Sequence, residues 1–269
     1  MRVIQMASTL GNSADVESYT SHAAAVNSSF HDAYYQPGTD DYRSSSTGGF
    51  AQTNNLLPIA FKMTSPAKRQ AVIDKVAVDV VSRDNHLGTG VAGTKWLLPL
   101  LTEHGYVDLA YSVATQTTYP SWGYWKSLGA TSLWEEWAGT SRSQNHPFLG
   151  TVVDWFYQHL AGIKITTAGY KSIVIAPFLP ANLASAQGSI QTPLGKVVSS
   201  WTKSTAQFAL TLSIPAGSIA LVSLPVSDGK LVYENGKNAV DSERVEFVGS
   251  SSGRSSYKVA SGTYNFVVD

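Results

Sequence analysis

Between Tyr119 and Trp137 the chain reads Tyr-Pro-Ser-Trp-Gly-Tyr-Trp and, five residues later, Thr-Ser-Leu-Trp-Glu-Glu-Trp. Six aromatic side chains (Tyr119, Trp122, Tyr124, Trp125, Trp134, Trp137) fall in these 19 positions, where the chain-wide aromatic content of 11% predicts about two. Flat aromatic faces beside a carboxylate pair suit a neutral polar ligand with apolar C–H faces, such as a sugar. Trp134 and Trp137 flank Glu135 and Glu136, so at least one carboxylate is expected against apolar surface. Desolvation there raises a carboxyl pKa toward a general acid or base role. The alternative is that the indoles fill a helical core and the glutamates cap or decorate a helix; composition alone leaves both open.

His146, in Gln144-Asn145-His146-Pro147, stands at the expected start of a helix, where its ring either binds a ligand or bonds a nearby backbone carbonyl. His86, in Asn85-His86-Leu87-Gly88, lies in a glycine-rich loop and poses the same choice. His22 and His31 lack an acidic or histidine neighbour at metal-ligand spacing, so no metal site is expected. Nor is a cofactor. Gly88-Thr89-Gly90-Val91-Ala92-Gly93 matches G-x-G-x-x-G, with Asp108 near the offset of a ribose-binding acid. The dinucleotide fingerprint, however, requires a strand immediately before it. Here the preceding segment reads as a helix and a polar turn, which makes a helix–helix loop the expected context. The one glycosylation sequon, Asn27-Ser28-Ser29, falls inside an expected helix.

The elements that would position these residues change character along the chain. Ser65-Pro66 reads as an N-cap and N1 pair. It opens a helix over 67–82 whose Val72, Ile73, Val76, Ala77, Val80 and Val81 form a wide apolar stripe. Further helices are expected over 16–30, over 95–104 with Gly105 at its C′ position, over 107–117, and over 147–160 ended by Gly162. Short Gly- and Pro-bearing loops suit antiparallel helix pairs. Beyond residue 165 the period becomes two. Phe208, Leu210, Leu212 and Ile214 alternate with Ala209, Thr211 and Ser213, and strands are expected over 172–176, 207–214, 219–224, 244–248 and 264–268. Pro215, Asp228-Gly229 and Asn235-Gly236 separate them. The expected organisation is α + β in separate domains, helical over 1–165 and an antiparallel β-sandwich over 166–269. All six His and six of the seven Trp lie in the first part, which places side-chain chemistry there.

Composition narrows the function classes. The 269 residues carry 19 basic and 19 acidic side chains, and only 14% are charged, against roughly 25% in an average soluble domain. Ser (34) and Thr (22) take their place. Formal neutrality argues against nucleic acid, whose binding needs a basic footprint, and against an anionic membrane surface. There is no run of 18 apolar residues for a transmembrane helix. The opening residues lack the apolar core and cleavage pattern of a signal peptide, so the compartment stays open. Without Cys there is no disulfide, thiolate zinc site or cysteine nucleophile.

The ordered set of segments resembles the C-terminal half of bacterial and fungal α-L-rhamnosidases of glycoside hydrolase family 78. Its pieces are Gln52-Thr53 leading to Leu57-Pro58, His86-Leu87-Gly88-Thr89-Gly90 with Gly93-Thr94, and Tyr119-Pro120-Ser121-Trp122. They continue with Gly129 to Trp137, Asn145-His146, and Gly195-Lys196-Val197 with Trp201. The resemblance implies part of an (α/α)6 barrel followed by a β-sandwich. It implies inverting hydrolysis of terminal α-L-rhamnose from glycosides or oligosaccharides, with two carboxyl groups roughly 6.5–9.5 Å apart. By position Glu135 matches the family's general base, the first acid after Trp in Trp-Glu-x-Trp. His146 matches a histidine that contacts the sugar; Trp122 and Trp134 match the pocket wall.

This sequence departs from the family pattern in two ways. Glu136 stands where the family commonly has Arg, and a second carboxylate beside the base would raise its pKa. The family's general acid lies in an Asp-x-x-Arg-Glu motif that has no counterpart here, and five to seven helices fall short of twelve. The expectation is therefore the second half of a barrel, with its base and without its acid. It is either a hydrolase completed by the missing N-terminal half or another chain, or an inactive remnant that at most binds sugar.

Overall fold

The computed structural model describes residues 2–45, 48–227 and 229–269; Asp228, read above as turn punctuation, lies outside them. They divide into two compact units, Met1–Leu149 and Gly150–Asp269.

The first unit is built from helices α1 (Arg2–Thr9), α2 (Ser13–Tyr34), α3 (Gln52–Ala60), α4 (Pro66–Ser82), α5 (Val91–Glu103), α6 (Val107–Ala114) and α7 (Trp122–Ser127). A two-stranded hairpin, β1 (Tyr35–Gln36) with β2 (Asp41–Tyr42), joins α2 to α3. In α4 the stripe Val72, Ile73, Val76, Ala77 and Val80 is buried as its 3.6-residue spacing requires, but Val81 is exposed, one residue past the edge of the buried arc. Ser65 occupies the N-cap position of α4, but its hydroxyl accepts no capping hydrogen bond; Pro66 at N1 has no amide hydrogen to satisfy. The expected helix at 95–104 begins earlier, at Val91, because Gly90 rather than a Ser or Asp serves as its N-cap. The G-x-G-x-x-G match therefore sits in a helix–helix loop and the first turn of α5. Its last glycine has a packing reason: a Cβ at Gly93 would lie 2.3 Å from Thr53 Oγ1, so α3 and α5 approach closely there. Buried Leu56 and Ile59 of α3, Leu97, Leu98 and Leu101 of α5, and Ala110 and Val113 of α6 complete the helical core. No described helix is long and apolar enough to cross a membrane.

The second unit starts before residue 165. The expected helix at 147–160 is three short pieces: a 3₁₀ turn (Phe148–Thr151), α8 (Val152–Trp155) and a π-turn (Phe156–Leu160). The end of this run is fastened to a β-sheet. Trp201 Nε1 donates to the Leu160 carbonyl at 2.7 Å, and Ser199 Oγ donates to that of Ala161 at 2.7 Å. Two sheets then pack face to face. One contains β9 (Val232–Glu234), β10 (Lys237–Asn238), β5 (Ser185–Thr192), β6 (Gly195–Lys203), β7 (Phe208–Ile214) and β13 (Gly262–Val268), ordered 10-9-13-7-6-5. The other contains β3 (Ile163–Ile165), β4 (Ser172–Ile175), β8 (Ile219–Pro225), β11 (Val245–Ser251) and β12 (Arg254–Val259), ordered 11-12-8-4-3. The alternation at Phe208, Leu210, Leu212 and Ile214 buries all four, facing Tyr264 and Phe266 of the neighbouring strand. One pairing departs from the expected antiparallel sandwich: β4 and β8 run parallel, with Ile173 opposite Ala220 and Ile175 opposite Val222.

Candidate active site

The aromatic run folds around α7. Ser121 caps it, its Oγ accepting from the Tyr124 amide at 2.9 Å, and the peptide between Tyr119 and Pro120 is cis. The helix presents Trp122 and Trp125 to the chain that follows. Trp125 stacks on Trp137 at 4.7 Å and 25°, and lies 5.8 Å from Trp134; Trp122 meets Trp137 edge to face at 5.1 Å and 88°. Each of three indole N–H groups donates to a backbone carbonyl: Trp122 to Leu149 at 2.8 Å, Trp125 to Trp137 at 3.0 Å, and Trp137 to Thr89 at 2.8 Å. Buried indoles with a satisfied N–H are structural elements as well as apolar surface. Trp125, Trp134 and Trp137 are buried core, as the core reading of the aromatic run expects, while Trp122 is half-buried.

The chain from Ala130 to Pro147 has no regular secondary structure, yet it is tightly crosslinked. The Glu135 amide donates to the Ser143 carbonyl at 2.9 Å and the His146 amide to that of Leu133 at 2.8 Å. Ser132 Oγ donates to the Gln144 carbonyl, Ser141 Oγ to that of Ser143 at 2.9 Å, and the Glu136 amide to Ser141 Oγ at 3.1 Å. These bonds lay 132–136 against 141–146, and so bring Glu135 and His146, eleven residues apart in sequence, into one loop.

The two glutamates differ. Glu136 is exposed, whereas the Glu135 side chain is only 29% accessible. Its nearest cation is the guanidinium of exposed Arg142, with Nη2 3.9 Å from Oε1, longer than a charge-assisted hydrogen bond. Among the described residues no hydrogen bond occupies the Glu135 carboxylate oxygens. The imidazole of His146 stands edge-on to Phe148 at 4.5 Å and 89°, and its Nδ1 is sequestered with no partner among the described residues. His86, left open by the sequence, is fully bonded, its Nδ1 to the Arg83 carbonyl and its Nε2 to Thr118 Oγ1, both at 2.8 Å. Trp134 is 5% exposed, and it lines a cavity of about 540 Å³ with the 129–132 and 139–140 segments. No group of three or more His, Asp or Glu among the described residues could hold a metal ion. The sequence could not show that Trp137, rather than Trp134, ties this loop to the glycine-rich turn at Thr89.

Comparison with known proteins places this arrangement. Residues 1–160 match the bacterial α-L-rhamnosidase six-hairpin glycosidase domain, and residues 162–239 the bacterial α-L-rhamnosidase C-terminal domain. Alpha-L-rhamnosidases of Formosa agariphila and Streptomyces avermitilis are 29% and 30% identical over 97% and 98% of this chain. The alpha-L-rhamnosidase structure from Dictyoglumus thermophilum superposes with a TM-score of 0.89 at 29% identity, covering 99% of this chain and 30% of that one. That of Streptomyces avermitilis complexed with L-rhamnose superposes at 0.84 and 30% identity, covering 99% and 25%. The chain spans 29% and 25% of the length of the two curated relatives. With the six-hairpin domain matched over more than half of its residues, and the matching C-terminal domain after it, the chain belongs to the bacterial α-L-rhamnosidase family.

Proposed function

We propose that this chain forms the general-base side of an α-L-rhamnosidase active site that hydrolyses terminal α-L-rhamnose with inversion. Glu135 takes a proton from a water molecule whose oxygen attacks C1. A carboxylic acid contributed from outside this chain, roughly 6.5–9.5 Å away, protonates the glycosidic oxygen as its bond to C1 breaks. His146 contacts the sugar, and Trp122 and Trp134 form part of the pocket wall. The observation that carries this reading is the contrast within the glutamate pair. Glu135 is half-buried, its oxygens free of hydrogen bonds among the described residues and its loop crosslinked, whereas Glu136 lies exposed beside it. A base needs an unoccupied lone pair aimed at water from a fixed position; Glu135 meets the first condition and its loop the second.

The test is a chimera in which this chain replaces the matching segment of the Streptomyces avermitilis relative, assayed with an aryl α-L-rhamnoside. Glu135→Gln is expected to lower kcat by about 10²–10⁴-fold, and Glu136→Gln to leave it within a few-fold. Azide added to Glu135→Gly is expected to restore turnover and yield the β-configured rhamnosyl azide, since the anion replaces the activated water. Equal rates for Glu135→Gln and its parent would remove Glu135 from this role. A folded chimera that binds L-rhamnose without turnover would favour the sugar-binding remnant.

A further inference from the structure

Glu135 and Glu136 are neighbours in sequence, yet one carboxylate is half-buried and the other exposed. The hydrogen bonds of their backbone give the cause. Along a regular strand successive amides point to opposite sides, so only every second residue bonds a given partner. Here both amides reach the same facing arm of the loop. The Glu135 amide donates to the Ser143 carbonyl at 2.9 Å, and the Glu136 amide to Ser141 Oγ at 3.1 Å. Both residues lie in a bend, and a side-chain hydroxyl rather than a backbone carbonyl receives the second amide. We propose that Ser141 is a positioning residue for the base: its hydroxyl holds this bend and so fixes which of the two carboxylates is kept in the half-buried place.

Three observations single out Ser141. Its hydroxyl works in both directions at once, accepting from the Glu136 amide and donating to the Ser143 carbonyl at 2.9 Å. That carbonyl is the one that also accepts from Glu135, and its two lone pairs serve both donors. One hydroxyl thus closes a set of bonds that includes the amides of both glutamates. Secondly, Ser141 is 8% exposed, whereas Thr140 and Arg142 on either side of it are exposed. Serine is mostly found at the surface, and a buried hydroxyl is held there by the bonds it makes. Thirdly, its place is fixed from outside the loop. The Ser141 amide donates to the Ala138 carbonyl at 3.1 Å, which closes the turn 138–141. Gly139 in that turn lies so near Leu128, just after α7, that a Cβ would stand 2.9 Å from Leu128 Cδ1. Ser132, the other hydroxyl that crosslinks the two arms, bonds the Gln144 carbonyl and touches neither glutamate amide.

A general base works only while its lone pair stays within hydrogen-bond reach of the proton it takes. Misplacement by about 1 Å can cost on the order of 10²-fold in rate. Without the Ser141 hydroxyl, the amide of exposed Glu136 would bond water instead, and the bend could relax toward extended backbone, in which neighbouring side chains alternate faces. The loop would still be closed by the bonds from Glu135 to Ser143 and from His146 to Leu133. The loss therefore falls on the position of the carboxylate and not on folding. The positioning role rests on Glu135 acting as the base; the bonds that define it do not.

The kinetic test is a cycle in the chimera with the Streptomyces avermitilis relative: the parent, Ser141→Ala, Glu135→Gln and the double variant. Ser141→Ala is expected to lower kcat by about 10–100-fold while KM stays within about threefold. It is expected to have no further effect in the Glu135→Gln background, because a positioning residue then has no base left to position. On the full chain, labelled with ¹⁵N, Ser141→Ala should quicken amide hydrogen exchange at Glu135 and Glu136 by roughly tenfold or more, while the amides of α4 and α5 keep their protection. The same fold-loss in both backgrounds would mean that Ser141 acts on the domain at large, and would overturn the proposal. So would an unchanged kcat in Ser141→Ala, or unchanged exchange at the two glutamate amides. The base assignment is read separately. Glu135→Gln equal to its parent removes the base and the role of Ser141 with it, whereas an impaired Glu135→Gln beside an unimpaired Ser141→Ala removes only the positioning role.

Discussion

Trp137→Phe tests whether the indole cluster fixes the loop that carries Glu135. The substitution keeps an aromatic ring against Trp125 but removes the N–H that donates to the Thr89 carbonyl at 2.8 Å. Thr89 is buried, so the carbonyl is left without a donor, which costs about 1–3 kcal/mol. Phe also gives up about 30–40 Å² of apolar contact, about 1 kcal/mol at 25 cal/mol/Å². The sum, about 2–4 kcal/mol, is a large share of the 5–15 kcal/mol that typically separates folded from unfolded protein. A suitable assay is urea unfolding of 5-fluorotryptophan-labelled protein by ¹⁹F NMR, in which each indole reports separately. Trp125 and Trp134 should unfold at markedly lower urea, whereas Trp155 and Trp201, in the second unit, should keep their midpoints. A change under about 0.5 kcal/mol for Trp125 and Trp134 would refute the reasoning, because the N–H bond would then contribute nothing net. Equal shifts for all six remaining indoles would instead show that the two units unfold together.

Other substitutions probe separate parts of the structure. Gly93→Ala should destabilise the helical unit by more than the usual glycine-to-alanine change in a helix, because the new Cβ meets Thr53 Oγ1 at 2.3 Å. Thr53→Ala should recover part of that loss, and a double-mutant cycle in urea reads the coupling. Ser121→Ala should cost about 1 kcal/mol through loss of the cap on α7. Arg254→Met removes the donors to Ser223 Oγ (2.9 Å), Ser223 O and Pro177 O (3.2 Å) in the β unit. It should destabilise that unit by about 1–3 kcal/mol, read as a lower urea midpoint at Trp201. Burial would raise the Asp41 carboxyl pKa, but the hydrogen-bonded Arg43 guanidinium and the Thr39 hydroxyl together hold it below the ordinary value of 3.8. A carboxyl depressed in the folded state stabilises above its unfolded pKa, and that contribution is lost as pH falls through the folded value. Acid titration of stability should therefore steepen below about pH 4, and Asp41→Asn should flatten that limb.

How much of this was legible in the sequence depended on whether an element announces itself locally. The helix at 66–82 and the strand at 208–214 carry their period in their own apolar residues, so their bounds are legible locally to within a residue or two. The helices Gln52–Ala60 and Trp122–Ser127 carry no such local signal. The first contains Pro58 and begins Gln-Thr-Asn-Asn, and the second is only six residues long. Both owe their helicity to burial of Asn55, Leu56 and Trp125 rather than to propensity. Strands Ser185–Thr192 and Gly195–Lys203 have a weak local strand signal because Ser, Gln, Gly and Lys dominate them. Their pairing with Phe208–Ile214 is long-range information that no local window holds. Parallel pairing of Ser172–Ile175 with Ile219–Pro225 likewise needed the crossover between them.

The same distinction governs the candidate site. Aromatic density marked the right stretch of chain, but density does not tell a ring that meets ligand from one that holds the fold. The structure separates them by where each polar edge goes. The N–H groups of Trp122, Trp125 and Trp137 all end on backbone carbonyls, two of them on segments far from the indole in sequence, Leu149 and Thr89. These indoles act as struts whose hydrogen bonds fix backbone positions; any sugar contact they make uses the face or edge that remains. Tyr119 has the opposite signature, an exposed ring braced from one side with no hydrogen bond to its hydroxyl among the described residues. By that criterion the most exposed aromatic surface of the run lies at its first residue, Tyr119. Buried Trp125 and Trp137 then hold the carboxylate loop in fixed register with α7 and with the turn at Thr89.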